Sequence, residues 1–178
     1  MDSSRLERTT LIVAQNHDAS CQVWTRRWVH PTTKESVLMS EYRKHATVTI
    51  TAKSWDESRV AEVDAQHAIA RATFTTSYAG DIEGESTCCL LLSYVDGDPD
   101  KPQTMVGPYV GYEQVTGTLA GRTGTFVLEE RGEHSGGVAT TEVRVVPDSG
   151  TGELASLRGE GSYAADAMEY TMTLNYDV

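Results

Sequence analysis

The chain has no long apolar run. None of its 178 residues lies in a stretch of ~18 consecutive apolar residues, the length that a membrane-spanning helix needs. The N-terminus, MDSSRLERTT, lacks the apolar segment and the small-residue cleavage site of a secretory signal peptide. We therefore expect a cytoplasmic protein that has no membrane partner.

Cysteine is scarce, and its spacing matches no known site. The chain contains three cysteines, Cys21, Cys88 and Cys89, which fit neither a disulfide framework nor a zinc site. Cys88 and Cys89 adjoin in a predicted strand, so their side chains should point to opposite faces. The five histidines form no HxH or HxxxH pair. These absences predict a reduced protein without a metal site, and we expect no cofactor.

Positively charged residues are fewer than negatively charged ones. The chain has 15 Lys and Arg against 26 Asp and Glu, a net charge of −11, which argues against a nucleic-acid partner. The charge is uneven, because residues 1–45 carry seven basic and five acidic side chains whereas residues 46–178 carry eight and twenty-one. Solubility is the simpler explanation. The alternative is that a basic arm folds back onto an acidic body.

Familiar catalytic motifs are missing. The glycine-rich segments GRTGT (121–125) and DSGTGE (148–153) join predicted strands to strands. No helix N-terminus follows either segment, so neither predicts a phosphate cradle. Ser149 lies in a turn with no evident His and Asp partners, which argues against a hydrolase triad.

The chain does contain a regular alternation of apolar and polar residues. Between Gly111 and Gly161 this alternation is broken by glycines at short intervals, which is typical of consecutive antiparallel strands. No helix covers these strands, so the sheet must close on itself or pair with a second sheet. We predict an all-β domain over residues 46–178, a closed antiparallel barrel of about eight strands. Its predicted strands are 46–53, 66–78, 85–95, 105–119, 123–133, 138–146, 152–163 and 168–177, with a bend at 55–57 where Trp55 plugs the barrel end.

Residues 1–45 form a predicted N-terminal arm. The segment TTKE at 32–35 matches a capping box and predicts a short helix from about residue 33 to 44. Trp24 and Trp28 would share a face on either a helix or a strand. We consider two roles for the arm, a lid over an opening of the barrel or an extension packed on its outside.

Five segments resemble a known family. They are SWDE (54–57), YAGDIEGES (78–86), VGYEQVTGTLAGRTGTFVLEERGEH (110–134), VVPDSGTGELASLRGEG (145–161) and TLNYDV (173–178). Together they resemble a family of small bacterial proteins of unassigned function that has an allene-oxide-cyclase-like β-barrel, and the resemblance covers about residues 44–178. Barrels of this shape are similar more widely to spirotetronate cyclases and Diels–Alder enzymes of polyketide pathways, some with an N-terminal lid. The resemblance implies an apolar substrate whose ring closure is steered inside the barrel without a cofactor.

Two carboxylates and a tyrosine are the candidate catalytic residues. Alternation places Tyr109 and Glu113 on one face of a strand and Glu130 on a face of the next, and we predict that these faces point inward. Burial disfavours a charged carboxylate, so Glu113 and Glu130 are candidates for a proton donor or base. The alternative is that each carboxylate is paired with an arginine as part of the barrel architecture. The candidate partners are Arg122, Arg131 and Arg144.

Aromatic and apolar side chains are the candidate substrate contacts. Tyrosine hydroxyl groups on the inner wall could donate a hydrogen bond to a ligand carbonyl, although a tyrosine is more often half-buried packing. Tryptophans of the arm could cover the ligand, or pack against the surface. The predicted substrate-binding residues are Trp24, Trp28, Tyr94, Tyr112, Phe126, Leu128 and Val143.

Three functions follow from a barrel of this kind. We predict first a cofactor-independent cyclase for a polyene or polyketide-like hydrophobic small molecule, acting by [4+2] cycloaddition or spirocyclisation. The second is a binding barrel that holds a hydrophobic molecule without changing it. The third is a structural protein whose barrel is filled by its own side chains and that works through its outer face, for example as a homodimer. An interior cavity of a few hundred Å3 separates the first two functions from the third.

Overall fold

Eight antiparallel strands close into a barrel in the computed structural model, which describes residues 42–178. The strands pair in chain order, and β1 completes the barrel by pairing with β8. The predicted all-β barrel is thereby confirmed. Trp24 and Trp28 lie outside the described residues, as does the predicted helix up to residue 41. The strands are β1 Lys44–Glu62, β2 Ala68–Gly80, β3 Ile82–Tyr94, β4 Gly107–Leu119, β5 Arg122–Ser135, β6 Val138–Val145, β7 Arg158–Ala165 and β8 Glu169–Asp177.

The first strand is longer than predicted. It continues through residues 55–57, so the predicted bend there is wrong. A register shift between Ala52 and Ser54 replaces the bend with a bulge, which changes the face on which later side chains lie. Trp55 then stands opposite the buried Phe74 of β2. Beyond Thr51 the strand pairs with β2 and no longer with β8, which leaves an opening beside it.

One end of the barrel is plugged by the loop before β7. We predicted a strand from residue 152, but a short 3-10 helix, Gly152–Leu154, comes first and β7 begins only at Arg158. The side chains of Leu154 and Leu157 are 0% and 2% exposed, because they insert into this end of the barrel. The hydrophobic contact of these leucines with the barrel interior explains why the loop is held in place.

The interior is filled unevenly. Around the leucine plug, the inward side chains of β1, β4, β5, β6 and β8 form a continuous apolar core. Toward the other end β2 presents three small inward residues, Ala68, Ala70 and Ala72, which leave space between the strands. No helix within residues 42–178 is both long and apolar enough to cross a membrane.

Candidate functional site

A cavity of about 290 Å3 opens at the end of the barrel opposite the leucine plug. Its wall combines aromatic rings with small alanines such as Ala139 and Ala165. Concave, mostly apolar pockets of this kind are the usual form of a small-molecule site. Six aromatic side chains line the cavity: Trp55, Phe74, Tyr94, Tyr109, Tyr163 and Tyr170.

A carboxylate is held at the mouth of the cavity by two aromatic donors. The indole Nε1 of Trp55 donates to Glu57 Oε2 at 3.2 Å, and the hydroxyl of Tyr94 donates to Glu57 Oε1 at 2.7 Å. The indole ring also stacks on Phe74 with a centroid distance of 5.0 Å. Burial and the neighbouring Glu57 raise the pKa of Tyr94 above its ordinary value. Tyr94 therefore keeps its proton and donates it in the hydrogen bond to Glu57.

Three tyrosines form the inner end of the cavity. The hydroxyl of Tyr109 lies 2.5 Å from Oγ1 of Thr141, and the rings of Tyr163 and Tyr170 lie 4.8 Å apart. Burial is the main reason that the pKa of Tyr109 rises to about 12. Burial likewise raises the pKa of Tyr163 and of Tyr170. All three are neutral phenols over the physiological pH range.

Glu113 lies behind these tyrosines in a pocket of hydroxyl groups. The Tyr78 hydroxyl donates to Glu113 Oε2 at 2.8 Å, and the Ser86 hydroxyl donates to Oε1. Oγ1 of Thr76 lies 2.6 Å from the Ser86 oxygen and 3.3 Å from Glu113 Oε1. Glu113 is 3% exposed, so β2 and β3 supply the hydrogen bonds that water would otherwise make.

Glu130 forms a carboxyl pair with Glu113. Glu130 stands opposite Gly111, two residues from Glu113 on β4, so the two side chains are diagonal neighbours on the inner face. Burial, the charge of Glu113 and a hydrogen bond with it raise the pKa of Glu130 well above the ordinary 4.5. The raised pKa favours the protonated form of Glu130, and its Oε2 accepts a hydrogen bond of 3.1 Å from the Tyr163 hydroxyl. This hydrogen bond connects the carboxyl pair to the cavity.

No arginine of residues 42–178 neutralises this pair. No salt bridge among residues 42–178 includes Glu113 or Glu130. Arg131 points to the outer face, where it lies 3.9 Å from Glu129. Among the described residues, the alternative that each inner carboxylate is tied to an arginine is therefore wrong. The described residues also contain no cluster of three His, Cys, Asp or Glu side chains suited to a metal ion.

Comparison with known proteins gives a family for this barrel. A family model described as "Protein of unknown function (DUF3224)" matches residues 46–176. The chain belongs to the DUF3224 family. A crystal structure of a DUF3224 protein of unknown function from Shewanella oneidensis MR-1 is 24% identical and superposes with a TM-score of 0.56. The match covers 75% of this chain and 98% of that one, and at this identity it shows the fold alone. No curated protein matches.

The predicted site residues among residues 42–178 occupy four parts of this DUF3224 barrel. Tyr94 and Tyr109 line the cavity, and Glu113 and Glu130 lie directly behind it. Tyr112 contradicts its predicted role, because it lies on the outer face with 57% of its surface exposed. The other three residues do face inward, but they belong to the filled core near the leucine plug and do not line the cavity. They are Phe126, Leu128 and Val143.

Sequence reasoning missed several residues of the site. Phe74, Tyr163 and Tyr170 line the cavity, and Tyr78 and Ser86 hold Glu113. Alternation along β2, β3, β7 and β8 contains the signal that these side chains face inward. The alternation does not predict how far along the barrel axis each side chain lies, because that position depends on the register between strands.

Proposed function

We propose that this DUF3224 barrel binds a small, largely apolar molecule in the cavity and promotes an intramolecular ring closure of that molecule. The observation that supports this proposal is an aromatic cavity of about 290 Å3 whose inner wall is hydrogen bonded to a buried carboxyl pair. A barrel filled along its whole length would have no such space. The volume lies near the lower limit of ~300 Å3 for ligand pockets, which favours a small polyene over a complete polyketide chain.

The chemistry would depend mainly on conformation. Rigid aromatic walls can hold a flexible chain with its reacting atoms close together, which removes much of the entropic barrier to ring closure. Tyr109 is the residue best suited to bind a substrate oxygen, because Tyr94 and Tyr163 already donate their protons to carboxyl groups. When Thr141 donates to Tyr109, the Tyr109 hydroxyl is free to donate into the cavity.

The test of binding uses two neighbouring alanines of β7. Ala165 lines the cavity, whereas Ala164 is exposed on the outer side of the same strand. We expect small apolar polyenes and cyclic ketones to raise the melting temperature of the full chain and to bind in calorimetry. Ala165→Phe should abolish binding because its ring fills the cavity, and Ala164→Phe should not. Equal binding by both variants would contradict the proposal.

The test of chemistry follows each bound molecule by mass spectrometry. Ring closure by cycloaddition leaves the mass unchanged, so the product is expected as a new chromatographic peak of the same mass. Tyr109→Phe should slow its formation while leaving the ligand able to bind. A ligand recovered unchanged at every enzyme concentration would instead support the second function, a barrel that binds without catalysis.

A further inference from the structure

We propose that the ligand of this cavity carries a protonated amine, which sits among the aromatic rings between Glu57 at the mouth and Tyr163 at the inner wall. The inference rests on the proposed function in one respect, that the cavity binds a ligand at all. It adds the chemical class of that ligand, an apolar body with one ammonium group. Three properties of the cavity support it: charge, hydrogen-bond direction and aromatic surface.

The charge of the cavity is negative. Glu57 is the carboxylate in its wall, and no lysine or arginine is among the described residues that line it. Behind the wall lies the buried Glu113–Glu130 carboxyl pair, in which burial and then the neighbouring Glu113 raise the pKa of Glu130. A buried charge is normally paired with an opposite charge, and no salt bridge in the described part of the chain provides one here. An ammonium group in the adjacent cavity would supply the missing positive charge.

The nearest arginine is already engaged. Arg59 follows Glu57 on the same face of β1 and lies close enough to affect Tyr94. Its guanidinium donates to Glu62 Oε1 at 3.2 Å and to the carbonyl oxygen of Ala65 at 3.0 Å. These two contacts direct Arg59 toward the loop between β1 and β2 and leave Glu57 to its aromatic neighbours.

The hydrogen bonds in the cavity wall call for a ligand that donates. Tyr94 gives its proton to Glu57 and Tyr163 gives its proton to Glu130, so both phenol oxygens offer lone pairs as acceptors. His134 Nδ1 lies 2.5 Å from the carbonyl oxygen of Met105, which can only accept, so this nitrogen carries a proton. An ammonium group has N–H donors for such acceptors, whereas a carboxylate has none.

The aromatic wall and the local electrostatic field both favour a positively charged ligand. The faces of Trp55, Tyr163 and Tyr170 attract cations through the negative potential above each ring. Burial is the largest reason that the pKa of Tyr170 is raised, and the charges of Glu113 and Glu130 contribute next. The field that opposes a tyrosinate would oppose any other anion in the cavity and would stabilise a cation.

The experiment compares three probes of similar shape on the full-length protein. They are 4-phenylbutylamine, its uncharged counterpart 4-phenylbutan-1-ol, and the anion 4-phenylbutyrate, each titrated calorimetrically at pH 7 and low salt. We expect the amine to bind about tenfold more tightly than the alcohol, the size of a partly desolvated cation–π and ion-pair effect. The anion should bind most weakly.

Matched variants locate the effect. Glu57→Gln should reduce the affinity for the amine about tenfold while leaving the alcohol nearly unchanged. Glu83→Gln removes the same charge from an exposed position near the plugged end and should change neither affinity. Both residues are exposed, so neither substitution threatens the fold.

Each outcome is decisive. Tighter binding of the amine than of the alcohol supports the inference if Glu57→Gln weakens it and Glu83→Gln does not. Equal affinities for amine and alcohol, both abolished by Ala165→Phe, would overturn the ammonium inference and leave the proposed ligand-binding function in place. Tightest binding by 4-phenylbutyrate would also overturn it. If none of the three probes binds, or if Ala165→Phe leaves binding unchanged, both the inference and the proposed function of the cavity are contradicted.

Discussion

The ring of Tyr109 lies directly against Gly132, its cross-strand partner on β5. A Cβ atom placed on Gly132 would come within 2.5 Å of both Cζ and Oη of Tyr109, and within 2.5 Å of the Thr140 carbonyl oxygen. The glycine therefore sets the position of a cavity tyrosine by the absence of its own side chain. Tyr109 can then reach Thr141 across the inner face.

Gly132→Ala is expected to displace Tyr109 from this position. Overpacking of this kind costs about 1–3 kcal/mol of unfolding free energy, measured by urea denaturation. The control is a double-mutant cycle with Tyr109→Ala. If the tyrosine ring is the main obstacle, Gly132→Ala should cost less in the Tyr109→Ala background. An equal cost in both backgrounds would assign the effect to the Thr140 carbonyl alone.

Glu113→Ala should destabilise the barrel more than Glu113→Gln. Alanine leaves the buried hydroxyl groups of Tyr78 and Ser86 without their acceptor, and each such loss costs about 1–3 kcal/mol. Glutamine keeps one acceptor oxygen at nearly the same volume. We expect a difference of at least about 1 kcal/mol in the free energy of unfolding. Equal destabilisation by both substitutions would show that the hydroxyl groups find other partners.

Stability should fall as the pH rises above about 4.5, because the pKa of Glu130 in the folded state is raised well above that ordinary value. In this range the folded protein keeps a proton that the unfolded chain has released. The contribution of Glu130 to stability is therefore complete below its pKa in the unfolded chain, and it is lost as the pH rises to its pKa in the folded protein. Urea denaturation at intervals from pH 5 to 8 measures this loss.

Glu130→Gln is expected to remove this pH dependence. The wild type should lose up to about 1.4 kcal/mol per pH unit relative to the variant within the affected range. Glu129→Gln, on the outer face of the same strand, is the matched control and should keep the wild-type slope. A wild-type slope that persists in Glu130→Gln would assign the proton to another group.

The two adjacent cysteines should differ in reactivity. Cys88 is fully buried and Cys89 is exposed on the outer face, as their predicted opposite orientations require. Burial, followed by the charges of Glu130 and Glu113, raises the pKa of Cys88 and further suppresses its thiolate. Iodoacetamide labelling of the native protein, mapped by peptide mass spectrometry, should modify Cys89 and spare Cys88 until denaturant is added. Native labelling of Cys88 would contradict the register of β3.

Prediction from sequence succeeded where a local pattern was sufficient. The two-residue period of a strand placed Tyr109, Glu113 and Glu130 on inward faces, and the structure has them there. The same pattern assigned Tyr112 to the opposite face from Glu113, so its predicted role inside the barrel conflicted with the periodicity from the start. The predicted strand at residue 152 was wrong because the leucines that plug the barrel resemble the inward residues of a strand.

The sequence by itself determined the number of strands, their antiparallel order and the direction in which most of their side chains point, because these depend on alternation and turns within a few residues. Only the tertiary structure decided which inward residues meet. The pKa of Glu130 on β5 is raised by its burial and then by Glu113, which the β4–β5 register places beside it, while the Tyr163 hydroxyl of β7 donates to it across the interior. The hydrogen bond from Tyr163 joins residues 33 positions apart on strands that are not neighbours in the sheet, so it depends on the barrel as a whole.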